Sequence, residues 1–378
     1  MQLFSILLGI PLGVAFTFYF RSFFKRMLLV FGADVRKKPV KIGLWVAAGA
    51  VGALCIDFLG FGGIIVLHLF AFAALLQFVN FLVKKIARKK YAEGCKIWKT
   101  IYGCGFLPIL LTAVLVVGGY INLHNVVKTN YTVYTTKTVR EEGYRVALLA
   151  DTHFGVSLDY QGLLEVCEEV TAQEPDLVVL CGDIVDDSTT KKQMREVFSA
   201  LASIQSEFGT FFVYGNHDRP SSYGIDYAFT ADELVSTIEG LGITILQDEI
   251  YRIADDLVLV GREDRSVERN GEKRLSIDAL LTGVNKDAFI LTLDHQPHEY
   301  KENGKAGTDL ILSGHTHGGQ LFPLQFVQKL FQMNDEVYGK KRIDSNTVGI
   351  VTSGVAGWRY PIKTAAPAEY VIVDIKNK

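Results

Sequence analysis

Five apolar stretches in the second half of the sequence are each followed by side chains that can bind a metal ion. Seven of these side chains carry suitable oxygen or nitrogen donors, namely Asp151, His153, Asp183, Asn216, His295, His315 and His317. A donor set of this kind, without a thiolate, favours divalent ions such as Mn, Fe or Zn. Seven ligands are too many for one tetrahedral ion, so a single-metal or structural site is the weaker alternative. Two divalent metal ions that share Asp183 as a bridge use the whole set.

The elements that position these residues follow an alternating pattern. Short runs rich in Val, Ile and Leu predict strands at 144–150, 177–181, 209–214, 243–247, 257–260, 288–293, 308–312, 348–352 and 369–375. Amphipathic stretches predict helices at 158–172, 190–206, 231–240 and 276–284. This alternation indicates an α/β domain, with additional sheet after residue 243, where helices are few. Because carboxyl ends of parallel strands face one crevice, the five groups are expected to converge.

A single Asp or His after a strand usually caps a turn, and each of the five groups, taken alone, could be explained in that way. Five such groups, each at the end of an apolar strand, are hard to explain as independent caps. His298 lies three residues after His295 but beyond Pro297, and we expect it on a surface turn rather than among the ligands.

The quoted residues resemble the motifs of the calcineurin-like metallophosphoesterases. The matching segments are DTH at 151–153, GDIVDD at 182–187, GNHD at 215–218, His295 and GHTHGGQ at 314–320. The late Gly-rich turn SGVAGWRYPIK at 353–363 is most similar to the membrane-associated bacterial branch of that superfamily. The resemblance covers about 144–375 and implies two mixed β-sheets sandwiched by helices in a metal-dependent phosphoric ester hydrolase.

The resemblance also implies how the ligands divide. One ion is bound by Asp151, His153 and His317, and Asp183 bridges to its neighbour. The second ion is bound by Asn216, His295 and His315. A hydroxide that bridges the two ions then attacks phosphorus, so that no protein nucleophile is needed.

Further residues receive roles from the same resemblance. His217 contacts the phosphate and acts as general acid, and Asp218 orients it. Asp186 or Asp187 holds a ligand imidazole from behind. Arg219 and Arg359 are candidates for clamping a substrate phosphate, with a surface salt bridge as the alternative for each.

Composition divides the chain into a basic apolar half and an acidic half. Hydrophobic residues make up 49 % of the 378 residues, and the mean hydropathy is +0.22. Residues 1–130 hold 15 Lys and Arg against 3 Asp and Glu, whereas 131–378 hold 24 against 38. The acidic half disfavours nucleic-acid binding, and five scattered cysteines encode neither a disulfide framework nor a CxxC metal site.

Residues 1–123 are predicted to form four transmembrane helices. Residues 3–20 and 101–123 carry no charge, and 42–83 is long enough for two spans joined near Asp57. Lys and Arg are concentrated in 21–41 and 84–99, and placing both loops in the cytoplasm puts everything after residue 123 outside. The predicted organisation is therefore a four-helix region at 1–123, a connector at 124–143 and a metallophosphoesterase domain at 144–378.

These observations predict a multi-pass protein of the cell membrane with an extracytoplasmic two-metal phosphoesterase. Its partner is a phosphate-ester substrate: a phosphodiester, pyrophosphate or phosphomonoester, with lipid-linked and envelope compounds favoured by the location alone. No nucleic acid and no obligate protein partner are expected. The alternative is a catalytically silent metal-binding sensor or binding module coupled to the helices, which would require missing ligands. A transporter is less favoured, because the helices lack a convincing polar pathway.

Overall fold

The computed structural model describes residues 2–220 and 227–378. The described chain divides into two compact units, Met1–Gly118 and Gly119–Lys378. The division falls five residues before the predicted boundary at 123, inside a helix that belongs partly to each unit.

The first unit is helical. Its helices are α1 (Gln2–Val30), α2 (Lys38–Leu54), α3 (Phe61–Gly94), α4 (Lys96–Cys104) and α5 (Phe106–Leu123). α1 packs closely on α2, and a Cβ added to Gly13 would lie 2.6 Å from the carbonyl oxygen of Gly52. Glycine therefore permits an approach that a larger residue would prevent.

Helices occupy the predicted positions, but four membrane spans are not confirmed. A turn separates α2 from α3 around Asp57, which confirms the break predicted within 42–83. The predicted helix at 101–123 is divided by Gly105, whose φ of 66° ends α4, so that α5 begins only at Phe106. Among the described residues, two helices are long and apolar enough to cross a membrane, at Phe61–Arg88 and Phe106–Leu123. α2 has 17 residues, which is at the short end for a span.

The second unit contains two six-stranded mixed sheets. The first has the order β1-β12-β2-β3-β4-β5. Its strands are β1 (Val127–Thr135), β2 (Tyr144–Leu149), β3 (Leu177–Cys181), β4 (Thr210–Val213), β5 (Thr244–Ile245) and β12 (Glu369–Asn377). β2 to β5 are parallel, and β12 runs antiparallel to β2.

The second sheet has the order β10-β11-β9-β8-β7-β6. Its strands are β6 (Glu249–Ala254), β7 (Leu257–Gly261), β8 (Phe289–Leu293), β9 (Leu310–Ser313), β10 (Gly339–Arg342) and β11 (Val348–Val351). The four inner strands are parallel, and the two edge strands are antiparallel to their neighbours.

This unit has six α-helices among its described residues, and most of them cover the outer faces of the sheets. They are α6 (Tyr160–Thr171), α7 (Lys191–Leu201), α8 (Ala231–Gly240), α9 (Ile277–Leu280), α10 (Tyr300–Ala306) and α11 (Leu324–Leu330). α6 to α8 pack on the first sheet, and α9 packs on the second. The main core lies between the sheets, where residues such as Leu148, Val179, Leu291 and Leu312 are fully buried. The inner strands therefore read as continuous apolar runs.

The segment 124–143 differs from the predicted connector. It contains β1, which pairs in parallel with β12 from Val127 to Thr135 and extends the first sheet. β6 and β10, the two edges of the second sheet, were also not predicted. An edge strand is buried incompletely and carries charge, as Lys340 and Lys341 do in β10, so it lacks the apolar run that marks an inner strand.

Candidate metal centre

The metal-binding side chains all lie just beyond the carboxyl ends of β2, β3, β4, β8 and β9. Several adopt a left-handed backbone that is unusual for residues with a side chain, namely Asp151 (φ 54°), His153 (34°), Asp183 (52°), His315 (72°) and His317 (49°). Such conformations cost free energy, of order 1–3 kcal/mol each, and persist where the surroundings enforce them. Strain of this kind is concentrated at functional sites.

Two groups of three ligands are formed. Asp151, His153 and His317 offer donor atoms that lie within 4.8 Å of one another, and all three residues are buried. Asp183, His295 and His315 form a second group by the same measure. The first group has the composition that the sequence motifs imply; the second contains the expected His295 and His315 together with Asp183, and Asn216 is in neither group.

Asp183 lies between the two groups. Its Oδ2 is 3.7 Å from Nε2 of His153 and 3.2 Å from Nε2 of His295. Its Oδ1 accepts the backbone N–H of His217 at 2.8 Å, which fixes the direction of the carboxylate. Although burial opposes ionisation, the charges of His295 and His217 hold the pKa of Asp183 well below its ordinary value. A permanently charged oxygen therefore faces both groups.

Several donor atoms of the candidate ligands have no hydrogen-bond partner of their own. Nε2 of His153, Nε2 of His295, Nδ1 of His317 and Oδ1 of Asn216 are buried without a hydrogen-bond partner among the described residues. Leaving a buried polar atom unpaired costs about 1–3 kcal/mol, so four together indicate a further binding partner. Neutral imidazole and carboxylate or amide oxygen suit borderline divalent metals.

The protonation of the second group is set by its neighbours. Nδ1 of His295 lies 2.8 Å from the carbonyl oxygen of Cys181, which requires a proton on Nδ1 and leaves Nε2 as the ligand atom. Burial alone would lower the pKa of His295, but the charges of Asp183 and Asp151 raise it well above its ordinary value. Burial lowers the pKa of His315 to about 3, so that ring is neutral over the physiological range.

Asp186, and not Asp187, supports a ligand imidazole. Oδ2 of Asp186 lies 3.2 Å from Nδ1 of His153, and Oδ1 accepts the Ser188 N–H at 2.8 Å. Burial opposes ionisation here too, but the hydrogen bonds to His153 and Ser188 lower the pKa of Asp186 to about 2. Asp187 is exposed. The structure thereby decides between the two residues that the sequence left open.

Asp218 has a different position from the one expected. Its carboxylate accepts four backbone N–H groups, from Asp183 at 2.7 Å, Ile184 at 2.8 Å, Val185 at 3.1 Å and Gly215 at 2.6 Å. These contacts hold the turn that presents Asp183, whereas the sequence interpretation had Asp218 orienting His217. Asp218 is therefore a positioning residue for Asp183.

His217 lies at the edge of the centre. Its ring centroid is 5.4 Å from that of His153 and 5.1 Å from that of Trp358. Its carbonyl oxygen accepts the Tyr227 hydroxyl at 2.8 Å. Burial and the neighbouring positive charge of His153 lower the pKa of His217, with Asp183 acting in the opposite direction.

Glycine is required where the strand-end turns meet. A Cβ on Gly182, which has a φ of 79°, would lie 2.6 Å from Nδ1 of His295 and from the nitrogen of Gly215. A Cβ on Gly354 would lie 2.5 Å from Cβ of Asp151. The close packing of the ligand loops depends on these positions.

The loop 353–363 supports the site through residues to which the sequence assigned no role. Lys363 is fully buried, and its ammonium donates to the carbonyl oxygens of Ser353, Gly354 at 3.0 Å and Ala356 at 3.1 Å. Gln320 bonds Trp358 through both the N–H and the carbonyl of that residue, each at 3.0 Å. The available signal was a lysine at the end of a Gly-rich turn that is largely apolar.

The two candidate clamp residues differ in environment. Nη2 of Arg219 donates to the buried Glu263 at 2.5 Å, and the guanidinium stacks 4.5 Å from the Tyr214 ring centre. Arg359 is exposed, on the turn beside Trp358. His298 is half-buried in a turn and is not among the grouped ligands. Arg219 thus fits the salt-bridge alternative, and Arg359 keeps a side chain available for substrate.

The fold is that of a two-sheet α/β protein, and the strand ends carry two adjacent groups of candidate metal ligands. The family model for the calcineurin-like phosphoesterases matches residues 144–319. A transmembrane protein with a metallophosphoesterase domain from Danio rerio is 28 % identical over 331 residues, which are 84 % of this chain and 72 % of that protein. An uncharacterized metallophosphoesterase from Campylobacter jejuni is 31 % identical over 236 residues, or 62 % of this chain and 59 % of the relative. This chain therefore spans about three fifths of the Campylobacter protein.

A solved structure of a dimetal phosphatase from Danio rerio aligns with 62 % of this chain and 94 % of its own, at 12 % identity and a TM-score of 0.41. Residues 144–319, which contain all seven candidate ligands, thus match the calcineurin-like phosphoesterase family. The domain is that of a metal-dependent phosphoric ester hydrolase.

Proposed function

We propose that this protein is a membrane-anchored phosphoesterase that hydrolyses a phosphodiester, pyrophosphate or phosphomonoester with two divalent ions. Asp151, His153 and His317 would hold one ion, Asn216, His295 and His315 the other, and Asp183 both. The observation that carries the proposal is the position of Asp183 Oδ2, which lies within 3.7 Å of a ring nitrogen from each group.

The ions, when bound, lower the pKa of coordinated water and withdraw negative charge from phosphoryl oxygens. The protein supplies the remaining functions. Asp218 and Asp186 fix Asp183 and His153, so that the ligands need no rearrangement when the ions bind. Preorganisation of this kind is how a charged site stabilises a developing charge without a cost at the moment of reaction.

His217 is the general acid in this proposal. Its ring stands beside both His153 and Trp358 at the edge of the centre, where a leaving group would emerge. Burial lowers the pKa of His217, but an anionic phosphate beside the ring stabilises its protonated form. His217 would then give its proton to the leaving oxygen, and Arg359 would hold the substrate from the exposed side.

Six of the seven expected ligands fall into two groups of close donor atoms, and the seventh, Asn216, has a buried side-chain oxygen without a hydrogen-bond partner among the described residues. A silent sensor would be expected to lack some of them, so the ligand set supports catalysis over that alternative.

The membrane part of the proposal rests on α3, α5 and the distribution of charge. Two helices are long enough to cross a bilayer, and a relative is named as a transmembrane protein. Basic residues are concentrated around 21–41 and 84–99, which favours a cytoplasmic position for both loops and an extracytoplasmic phosphoesterase domain. Such a domain would meet lipid-linked or envelope phosphate esters.

The activity is tested with the full chain purified in detergent and supplied with Mn²⁺. A chromogenic phosphodiester and its matching monoester would be compared for wild type, Asp183→Asn and Asp187→Asn. The first variant removes the shared charge, and the second removes an exposed carboxylate four residues away. Hydrolysis lost in Asp183→Asn and with chelator, but retained in Asp187→Asn, is expected. No hydrolysis of either ester by folded, metal-loaded wild type would contradict the proposal.

The orientation is tested in intact cells. An exposed cysteine, Asn285→Cys, would be introduced into a Cys95→Ser/Cys104→Ser chain, since the other three cysteines are buried. A membrane-impermeant maleimide should label it without lysis. Labelling that requires lysis would place the domain in the cytoplasm.

A further inference from the structure

In residues 321–334, the segment that follows the GHTHGGQ motif, large apolar side chains are exposed to solvent. Its exposed apolar side chains are Phe322, Leu324, Phe326, Val327, Leu330, Phe331 and Met333, and we call this surface the apolar ledge. Three of them are largely in solvent, Phe326 at 59 %, Leu330 at 76 % and Phe331 at 70 % exposed. No residue of α11 is buried.

Two polar residues of α11 face the protein, whereas Lys329 and Gln332 are exposed. Gln325 and Gln328, three residues apart on one side of α11, are half-buried, and their side-chain oxygens are buried without a hydrogen-bond partner among the described residues. A surface helix of a water-soluble domain normally has the opposite arrangement. An apolar patch kept exposed at this cost indicates a surface that is covered in use.

The ledge is joined to the end of a candidate membrane span through one short segment. Asn122, on the last turn of α5, donates to the carbonyl oxygens of Lys363 at 2.7 Å and Ala366 at 2.8 Å. Between those two residues, Thr364 Oγ1 accepts the backbone N–H of Phe322 at 2.9 Å. The ledge and the point where α5 ends are thus fixed to the same four residues.

Charge in the segment is compatible with a lipid surface. Residues 321–334 contain no Asp or Glu, and their one charged residue is Lys329. Lys329 is half exposed and lies 3.1 Å from Glu336, just outside the segment. No acidic side chain of 321–334 would therefore oppose an anionic headgroup layer.

We propose that the apolar ledge inserts into the lipid headgroup layer of the bilayer that α5 crosses, and that it presents the metal centre to phosphate esters carried by membrane lipids. The proposal rests on the membrane attachment put forward above. Only four residues separate His317, one of the grouped ligands, from Phe322, so the ledge fixes how far the site stands from the membrane surface. Apolar insertion beside a transmembrane anchor is the behaviour of an interfacial helix.

A bilayer fits these observations better than a second copy of the chain. A span that ends on the same segment as the ledge brings lipid to it whenever the protein is in a membrane, at any protein concentration. The ledge is also built from large flexible and aromatic side chains of α11 and the residues that flank it, and Lys329 is the one charged residue within 321–334.

The position of the ledge is tested with the full chain in nanodiscs of phosphatidylcholine and phosphatidylglycerol. In the Cys95→Ser/Cys104→Ser chain, Leu330→Cys would carry an environment-sensitive fluorophore, with Ile250→Cys on edge strand β6 as the matched exposed control. Brominated acyl chains should quench the label at 330 and leave the label at 250 unchanged. Absence of quenching at 330 would overturn the proposal, as would a disulfide formed between two Leu330→Cys chains in place of quenching.

The consequence for substrate is tested in the same nanodiscs. Phe326→Glu/Leu330→Glu should slow hydrolysis of phosphatidylglycerol or phosphatidic acid roughly tenfold or more, and change hydrolysis of a soluble chromogenic ester by less than about twofold. Ile250→Glu is the control and should affect neither. If Phe326→Glu/Leu330→Glu and Ile250→Glu hydrolysed the lipid at equal rates, the proposal that the ledge presents the metal centre to lipid phosphate esters would be overturned. Quenching does not require catalytic turnover. A wild type without activity would therefore refute the proposed phosphoesterase activity, and the quenching test would still decide whether the ledge inserts into the bilayer.

Discussion

Oδ2 of Asp186 lies 3.2 Å from Nδ1 of His153, and the other oxygen of the same carboxylate is held by Ser188. The pair directs Nε2 of His153 toward Asp183 and the metal centre. Asp187, the next residue, is exposed. Of these two adjacent carboxylates, one supports His153 and the other is exposed. Substitution of Asp186 can therefore be compared with the same substitution at Asp187.

Asp186→Ala should weaken metal binding, because His153 loses the partner that sets its tautomer and ring orientation. Removal of such a partner typically costs about 10- to 100-fold in metal affinity. Asp187→Ala should leave the affinity unchanged. Titration of activity against Mn²⁺ measures both, and activity of Asp186→Ala should largely recover at high Mn²⁺. Equal affinities for the two variants would show that Asp186 has no such role.

Asp218→Asn should destabilise the domain. The Asp218 carboxylate accepts hydrogen bonds from four backbone N–H groups. In the variant, the amide NH₂ would face two of these N–H groups, which would be left buried and unpaired. A loss of about 2–4 kcal/mol in stability, with reduced metal content, is expected. Thermal unfolding in detergent measures the change against Asp255→Asn, whose side chain is fully exposed. An unaltered melting temperature for Asp218→Asn would contradict the assignment.

Metal binding should release a proton at neutral pH. Asp183 and Asp151 raise the pKa of His295 well above its ordinary value, so the metal-free ring is protonated and must lose a proton to bind an ion through Nε2. The apparent affinity for Mn²⁺ should therefore rise with pH, by up to about tenfold per unit between roughly pH 6 and 8. Calorimetry in buffers of different ionisation enthalpy counts the proton.

The control for proton release is His298, three residues further on and outside the grouped ligands. His298→Gln should keep the full pH dependence, whereas His295→Asn should flatten it. A pH dependence retained in His295→Asn would assign the proton to another group.

Lys363→Met should loosen the loop that packs on Asp151. Three carbonyl oxygens lose their donor, and we expect a loss of about 1–3 kcal/mol. Burial lowers the pKa of Lys363 to about 7, below the ordinary value of 10.5. The unfolded chain therefore binds the extra proton above pH 7, so this residue makes stability rise with pH from about 7 to 10.

The measurement for Lys363 is the melting temperature in detergent at several pH values. Wild type and the exposed-site control Lys301→Met should share the rise above pH 7, and Lys363→Met should lack that part of it. Parallel curves for all three proteins would contradict the account.

The two arginines near the centre should behave differently. Arg359→Ala should raise KM for a phosphodiester, by about tenfold if it makes one charged contact to the phosphate, without changing the melting temperature. Arg219→Ala should lower the melting temperature, because it leaves the buried Glu263 without its cation. Kinetics and melting curves of both variants separate the roles, and an unchanged KM for Arg359→Ala would remove it from the substrate site.

The inner strands and the ligand set were predictable from the sequence alone. β3, β8 and β9 are apolar on both faces, and such runs stand out locally. Each ends at a turn where Gly, Asp, Asn or His follows directly, so the sequence determined which residues could bind metal. The family motifs then supplied the division into two groups, which the geometry of Asp183 matches.

Only the tertiary structure decided how those residues are supported. Asp186 and Asp187 are adjacent and chemically alike, and burial against His153 distinguishes them. Asp218 accepts the backbone N–H of Asp183 across 35 residues, and Lys363 donates to carbonyl oxygens of its own loop, in which Gly354 packs against Asp151. The edge strands β1, β6 and β10 exist through pairing rather than through an apolar pattern of their own. A local sequence records what a residue can do, whereas pairing, burial and long-range hydrogen bonds depend on which distant segments meet it.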